Sequence, residues 1–119
     1  MQKIELPDSA EMFASIELMY KLSLQKTSLE LQIKDKEAEI TRTCTVTPEY
    51  FVNQKPPSMA YLERTYLFSG FEGELLELRQ KLTQVLAELE REKLKHDLNR
   101  KLFDVWRTQA ANERELNVV

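Results

Sequence analysis

The chain has 119 residues, a length typical of one domain, and its 42% hydrophobic and 31% charged residues exclude a disordered tail. Its two Gly and four Pro are too few for the turns and phosphate loops of β-sandwiches and Rossmann-type sheets. One Cys and one His exclude a disulfide framework, a multi-thiolate zinc site and a paired Glu-x-x-His di-metal site. The remaining class is a small helix-rich protein, and its net charge of −3 makes it acidic.

A first long helix is predicted over residues 9–42. Asp8 or Ser9 can accept a hydrogen bond from a free amide at its start. No Gly or Pro interrupts the following stretch, which is rich in Leu, Glu, Lys, Gln and Met. At 1.5 Å per residue, a helix of this extent is about 50 Å long.

This helix carries two lines of apolar residues. The second line, displaced by about 160° around the helix from the first, contains Tyr20, Leu24, Leu31 and Ala38. Two apolar faces need two neighbours, and we expect the chain's other long helix to cover one face fully and the other only partly. The connector could instead fold back over the first line. That line, which we expect at a self-association interface, is Leu18, Leu22, Leu29, Ile33 and Ile40.

The connector, residues 43–73, breaks the helical pattern. Threonines alternate with other residues over 41–47, which favours an extended run that Pro48 stops. Ser58 follows two prolines and can cap a short helix over 59–68, and Gly70 is expected to end that helix.

Six of the chain's ten aromatic residues lie in this connector, a density too great for a solvated linker. Aromatic side chains are enriched at interface anchors, so the connector is our candidate partner-binding surface. The same rings could instead form an internal cap at one end of the helix pair, and the sequence leaves both interpretations open. These residues are Tyr50, Phe51, Tyr61, Tyr66, Phe68 and Phe71.

A second long helix is predicted over residues 74–115. Its apolar residues step by three and four from Leu75 through Leu78, Leu82 and Val85 to Leu89, the spacing of a packed helix pair. The line then slips at Glu92, and four apolar residues continue on a rotated face: Leu94, Leu98, Leu102 and Val105. We therefore predict an all-α, coiled-coil-like antiparallel helical hairpin with a short connector helix, completed to a four-helix bundle by homodimerisation.

Charge agrees with antiparallel packing. Residues 1–20 have a net charge of −3 and residues 91–107 a net charge of +3, and a hairpin brings these two stretches together. The basic stretch also raises an alternative, a helical nucleic-acid-associated protein, although the acidic pI and the carboxylates within the stretch weigh against it. The candidate phosphate-contacting residues of that alternative are Lys93, Arg100 and Arg107.

No catalytic, metal-binding or cofactor-binding arrangement is recognisable. His96 follows Glu92 on the same helical face but lacks further ligands, and Cys44 has no histidine near it in sequence. We therefore predict that the protein is not an enzyme and has no cofactor. We expect it to be an adaptor, scaffold or regulator that binds another protein. A lone cysteine and the absence of a secretory signal or a membrane-spanning stretch favour a cytoplasmic location.

Overall fold

The computed structural model describes residues 8–117 and is all-helical. The two long helices are α1, Ser9–Val46, and α3, Glu74–Asn117. The connector contains a 3-10 turn, Pro48–Tyr50, and a short helix α2, Met59–Thr65. The long helices pack against each other as a hairpin, and no strand occurs between residues 8 and 117, so the all-α hairpin prediction is confirmed.

Helix α1 extends to Val46, and the prediction of an extended run over residues 41–47 is wrong. Cys44 lies four residues after Ile40, so continuing the helix places both side chains on the buried face. Within the same turns the hydroxyls of Thr41 and Thr45 donate hydrogen bonds of 2.8 and 2.7 Å to carbonyls four residues earlier. Burial of the Ile40–Cys44 pair therefore outweighs the strand preference of the threonines.

Helix α2 begins as predicted and ends earlier. The hydroxyl of Ser58 accepts a hydrogen bond of 3.2 Å from the amide of Tyr61, which confirms the predicted cap. The helix stops at Thr65 instead of residue 68, and a turn then leads to Gly70 at φ +84°. A left-handed backbone angle at this position favours glycine because a side chain there costs energy.

The chain divides into two compact units. Within the described residues, unit 1 contains residues 8–23 of α1 and 87–117 of α3, and unit 2 is Leu24–Leu86. Unit 2 has a continuous core in which α1, the connector and α3 all take part. Its buried members are Ile33, Ile40, Cys44, Leu62, Leu67 and Leu75, with Tyr50, Tyr66, Leu78 and Leu82 packed against them.

Unit 1 is built differently, because it has only two helical segments with which to bury side chains. Leu22 on α1 and Leu89 on α3 are the large apolar residues of this unit that become buried, among those the structure describes. Beyond Leu89, the spacing of three and four residues continues through the half-buried Glu92, His96, Asn99 and Leu102, and Gln109 and Ala110 are half-buried nearer the end of α3. Between the buried Leu89 and the half-buried Leu102, this line of α3 is therefore polar.

Candidate interaction surfaces

The five residues that we assigned to self-association differ in burial in the structure. Leu22, Ile33 and Ile40 are buried within the single chain, Leu29 is half-buried, and Leu18 is exposed. This corrects the expectation that a second copy is needed to cover this line. The physical reason is that the core formed by α3 and the connector lies on this line, which leaves the other line of α1 in water.

That second line of α1 is the exposed one. Tyr20 in unit 1 is 66% exposed, and Leu24 and Leu31 in unit 2 are also exposed. Phe13 extends the line by one heptad toward the start of the helix, seven residues before Tyr20. The sequence therefore correctly indicated two apolar faces, but the face that remains free is not the one we chose.

Glu92 provides the polar contact between the helices of unit 1. Its carboxylate accepts a hydrogen bond of 2.9 Å from the hydroxyl of Ser15 and lies 3.6 Å from the ammonium of Lys95. The Glu92 side chain is only 12% exposed, so this carboxylate lies in the seam, not on the outside. The sequence analysis missed this contact, although the spacing Val85–Leu89–Glu92–His96–Asn99 could have revealed it.

Large apolar side chains are displaced from this polar seam to the outside of unit 1. Leu94 and Leu98 lie within about 40° of each other around α3, and Val105 lies between them in angle. All three side chains are exposed, as the predicted slip requires. The exposed large apolar residues of unit 1 are Phe13, Ile16, Leu18, Tyr20, Leu94, Leu98, Phe103, Val105 and Trp106.

A groove follows one side of the helix pair in unit 1. The groove has a volume of about 600 Å³, and its lining includes Leu18 of α1 and Leu98 of α3. An adjoining depression shares Leu18 and Glu92 with it and adds Arg91. We call the two together the Leu18–Leu98 groove. Its lining combines leucines with charged residues: Glu11 lies on α1, and the carboxylates of Glu88 and Glu92 lie beside the cations of Arg91 and Lys95 on α3.

Three of the six connector aromatics form a cluster against the unit 2 core. Tyr50, Tyr66 and Phe71 contact one another with ring centroids 5.1 to 5.9 Å apart, and both tyrosines pack against the unit 2 core. Burial raises the pKa of the Tyr66 hydroxyl above its ordinary value, and the neighbouring Tyr61, Cys44 and Tyr50 add to this effect. Phe51 and Tyr61 are half-buried, so neither is a fully presented anchor.

Phe68 is the most exposed of the six connector aromatics, at 61%, whereas Phe71 is 37% exposed. The guanidinium of Arg79 lies over its ring, 5.4 Å from the centroid. With Leu76 and Leu86 of α3, this ring lines a shallow depression in unit 2. Of the six aromatics predicted to bind a partner, Phe68 is therefore the best placed to do so.

The basic residues of the nucleic-acid alternative are all exposed. Lys93, Arg100 and Arg107 are spaced by seven residues, so they form one row along α3 in unit 1. None of the three is in an ion pair with another described residue. Phe103 and Trp106 contact each other beside this row, with ring centroids 5.8 Å apart.

The side chains that could carry chemistry are dispersed. Among residues 8–115, no group of three or more His, Cys, Asp or Glu side chains is arranged to hold a metal ion. Cys44 is buried in unit 2, where the apolar surroundings raise its pKa and so disfavour the nucleophilic thiolate. Neither long helix, over its described length, contains an apolar stretch sufficient to cross a membrane.

No protein-family model, curated protein or solved structure matches the chain.

Proposed function

We propose that the chain is a non-enzymatic protein–protein interaction module, an adaptor, scaffold or regulator that binds another protein through the outside of unit 1. The observation that carries this proposal is the distribution of polarity in unit 1. The seam between its helices contains Ser15, Glu92 and Asn99 besides the buried Leu22 and Leu89, whereas nine large apolar side chains among its described residues face water. Soluble proteins seldom leave such a surface uncovered, and exposed apolar patches of this kind are typical of binding sites.

The proposed complex is a four-helix bundle, in which the partner supplies two helices to the two of unit 1. A bundle of this kind buries one side of each helix pair, and the Leu18–Leu98 groove is the side with apolar residues from both α1 and α3. Full burial of a leucine contributes about 1.5–3 kcal/mol, and several must be buried together to exceed the roughly 4–15 kcal/mol that association costs. Phe68 in unit 2 is a separate contact point for a larger partner.

Two matched variants test this function. Leu94→Asp with Leu98→Asp removes two exposed leucines from unit 1, and Leu24→Asp with Leu31→Asp removes two equally exposed leucines from unit 2. We expect the first variant to lose the proteins that the wild-type chain captures from a nuclease-treated extract of its source cells, and the second to retain them. Equal capture by both variants would contradict unit 1 as the binding surface.

A second function has one observation in its favour, the unpaired row of Lys93, Arg100 and Arg107. Cations that neutralise phosphates give binding that weakens steeply with added salt. If the chain binds mixed DNA or RNA fragments, the triple change of these residues to Glu should abolish binding and the Leu94→Asp, Leu98→Asp variant should retain it. Binding that is unaffected by salt would contradict this second function.

A further inference from the structure

We infer that a second copy of this chain covers the exposed line of α1, with the two α1 helices packed antiparallel. This surface is separate from the Leu18–Leu98 groove, so the inference goes beyond the proposed function. The line belongs to one uninterrupted helix, Ser9–Val46, and lies on the side of that helix away from its buried residues. We call it the outer line of α1. Its members, all exposed, are Phe13, Glu17, Tyr20, Leu24, Thr27, Leu31, Lys34 and Ala38.

The outer line has the spacing of a helix that packs against another helix. Its members alternate steps of four and three residues, as the a and d positions of a coiled coil do. At 1.5 Å per residue the line is about 38 Å long, and soluble proteins seldom leave an apolar strip of that length in water. Two of its positions are charged, Glu17 and Lys34, and neither is in an ion pair with another described residue. The partner must therefore offer both a cation and a carboxylate within an apolar face.

A second copy meets this requirement with the contact line itself. In an antiparallel helix pair, an a position of one helix lies beside a d position of the other. One register places Glu17 beside Lys34 of the second copy, and two-fold symmetry then places Lys34 beside the Glu17 of that copy. Both charges are thus neutralised within the contact, and a polar pair at such positions fixes the register.

The apolar members of the outer line fit the same register. Each of the four large side chains meets an apolar or a small residue, and the phenylalanine, the bulkiest of the aliphatic and phenyl groups in the line, meets the alanine. These large side chains are between 53% and 72% exposed in the single chain, so the contact removes apolar surface from water along the whole line. The pairs are Phe13 with Ala38, Tyr20 with Leu31 and Leu24 with Thr27.

Other arrangements of two α1 helices on this line lose the charge pairs. If the helices are parallel and in register, Glu17 lies beside Glu17 and Lys34 beside Lys34, so like charges meet. If the antiparallel helices shift by one heptad, either Glu17 lies beside Thr27 or Lys34 lies beside Leu24. Each shift leaves a charge without its counter-ion in the contact, so the register that pairs Glu17 with Lys34 is favoured.

Charge reversal on the full chain tests both the partner and the register. Sedimentation equilibrium measures the dimer dissociation constant of Glu17→Lys, of Lys34→Glu and of their equimolar mixture, and circular dichroism verifies that each variant is helical. We expect each variant alone to dimerise about tenfold more weakly than the wild type, because both contacts of the pair become repulsive. The mixture should recover wild-type affinity, since a mixed dimer pairs opposite charges at both contacts. Glu90→Lys is the control: it makes the same charge change at an exposed position of α3 and should dimerise like the wild type.

Other results overturn the inference. If both variants dimerise like the wild type and their mixture dimerises more tightly, the α1 helices are parallel and the orientation is wrong. If the wild type is a monomer at about 100 μM, well above the dissociation constant of a micromolar dimer, a second copy does not cover the outer line. The proposed function is tested separately, because it depends on the capture that Leu94→Asp with Leu98→Asp should abolish.

The apolar part of the contact is tested by a matched pair of leucines. Leu31 on the outer line and Leu98 in the groove are each 57% exposed, so each change to Asp destabilises the isolated chain little. We expect Leu31→Asp to raise the dimer dissociation constant at least tenfold and Leu98→Asp to leave it within about twofold. Dimerisation that Leu31→Asp leaves intact would place the second copy elsewhere and overturn the inference.

Discussion

The guanidinium of Arg79 donates a hydrogen bond of 2.7 Å to the carboxylate of Glu37, an ion pair that links α3 to α1 within unit 2. The same side chain also donates to the backbone carbonyls of Leu67 and Phe68, at 2.8 and 3.0 Å. One arginine therefore joins both long helices and the turn that follows α2. Its planar fork of donors makes these contacts simultaneously, which a lysine ammonium at the same position cannot do.

We expect Arg79→Lys to destabilise the chain by about 1–3 kcal/mol, because two backbone carbonyls and a carboxylate lose a donor. Glu37→Gln should destabilise the chain less, because the hydrogen bonds from Arg79 to the two backbone carbonyls remain. Urea denaturation monitored by circular dichroism measures both values. Lys81→Ala is the control, because the ion pair of Lys81 with Glu77 is exposed and should contribute less than about 1 kcal/mol. Equal costs for Arg79→Lys and Lys81→Ala would contradict this role for Arg79.

Gly70 and Gly73 have similar backbone angles but different surroundings. Both have a left-handed φ, of +84° and +80°, so Ala at either position should cost about 1–2 kcal/mol. At Gly70 a Cβ would also lie 2.6 Å from the Glu74 carboxylate, whereas at Gly73 nothing lies within 4 Å. We therefore expect Gly70→Ala to be the more destabilising of the two in urea denaturation.

The Glu74 carboxylate explains that difference and provides the control. It accepts hydrogen bonds of 3.0 and 2.7 Å from the amides of Phe71 and Glu72, just before α3 begins. A methyl group on residue 70 would displace it from these amides. In a Glu74→Ala background, Gly70→Ala should therefore cost only its backbone strain, so the two changes should be less than additive. Full additivity would contradict the proposed coupling.

The same carboxylate makes stability depend on pH. The hydrogen bond from the Glu72 amide is the main cause that lowers the pKa of Glu74 below its ordinary value, and partial burial opposes it. A lowered folded-state pKa means that the stabilisation is present above the unfolded-state pKa and is lost as pH falls through the folded-state pKa. Urea denaturation of the wild type and Glu74→Gln between about pH 3 and pH 7 should show a stability difference that shrinks toward acid. A difference that is constant with pH would contradict this assignment.

The helices were predictable because long stretches without Gly or Pro and with apolar residues every three or four positions specify α-helix. The boundary at residue 42 was wrong, because the burial of Cys44 depends on a core that the local threonine pattern does not encode. The choice of α1 face was also wrong for Leu22, Ile33 and Ile40, which the single chain buries. The two apolar lines of α1 have similar composition, and only the positions of Leu62, Leu67 and Leu75 decide which one is covered.

The Ser15–Glu92 pair gives a fourth prediction. Ser15→Ala removes the hydroxyl donor from the Glu92 carboxylate, which is only 12% exposed. We expect this change to lower the free energy of unfolding by about 1–2 kcal/mol. Glu92→Leu instead continues the line of Val85 and Leu89, and replacing a buried charge by a well-packed apolar group is often neutral or stabilising. Thermal denaturation of both variants tests this. If Glu92→Leu destabilises the chain more than Ser15→Ala does, the prediction is wrong and the helices of unit 1 need the polar contact in order to pair.

The reactivity of Cys44 reports the opening of unit 2. The thiol is 0% exposed and burial raises its pKa, so a thiol reagent should react with it only when the core opens. Leu62→Ala removes a neighbour from the same core at a cost of about 2–5 kcal/mol, which predicts labelling at least about thirtyfold faster. Leu31→Asp lies outside this core and should leave the rate near that of the wild type. Labelling of the native wild-type chain at the rate of a free thiol would show that Cys44 is accessible without opening of the core, and would contradict this account.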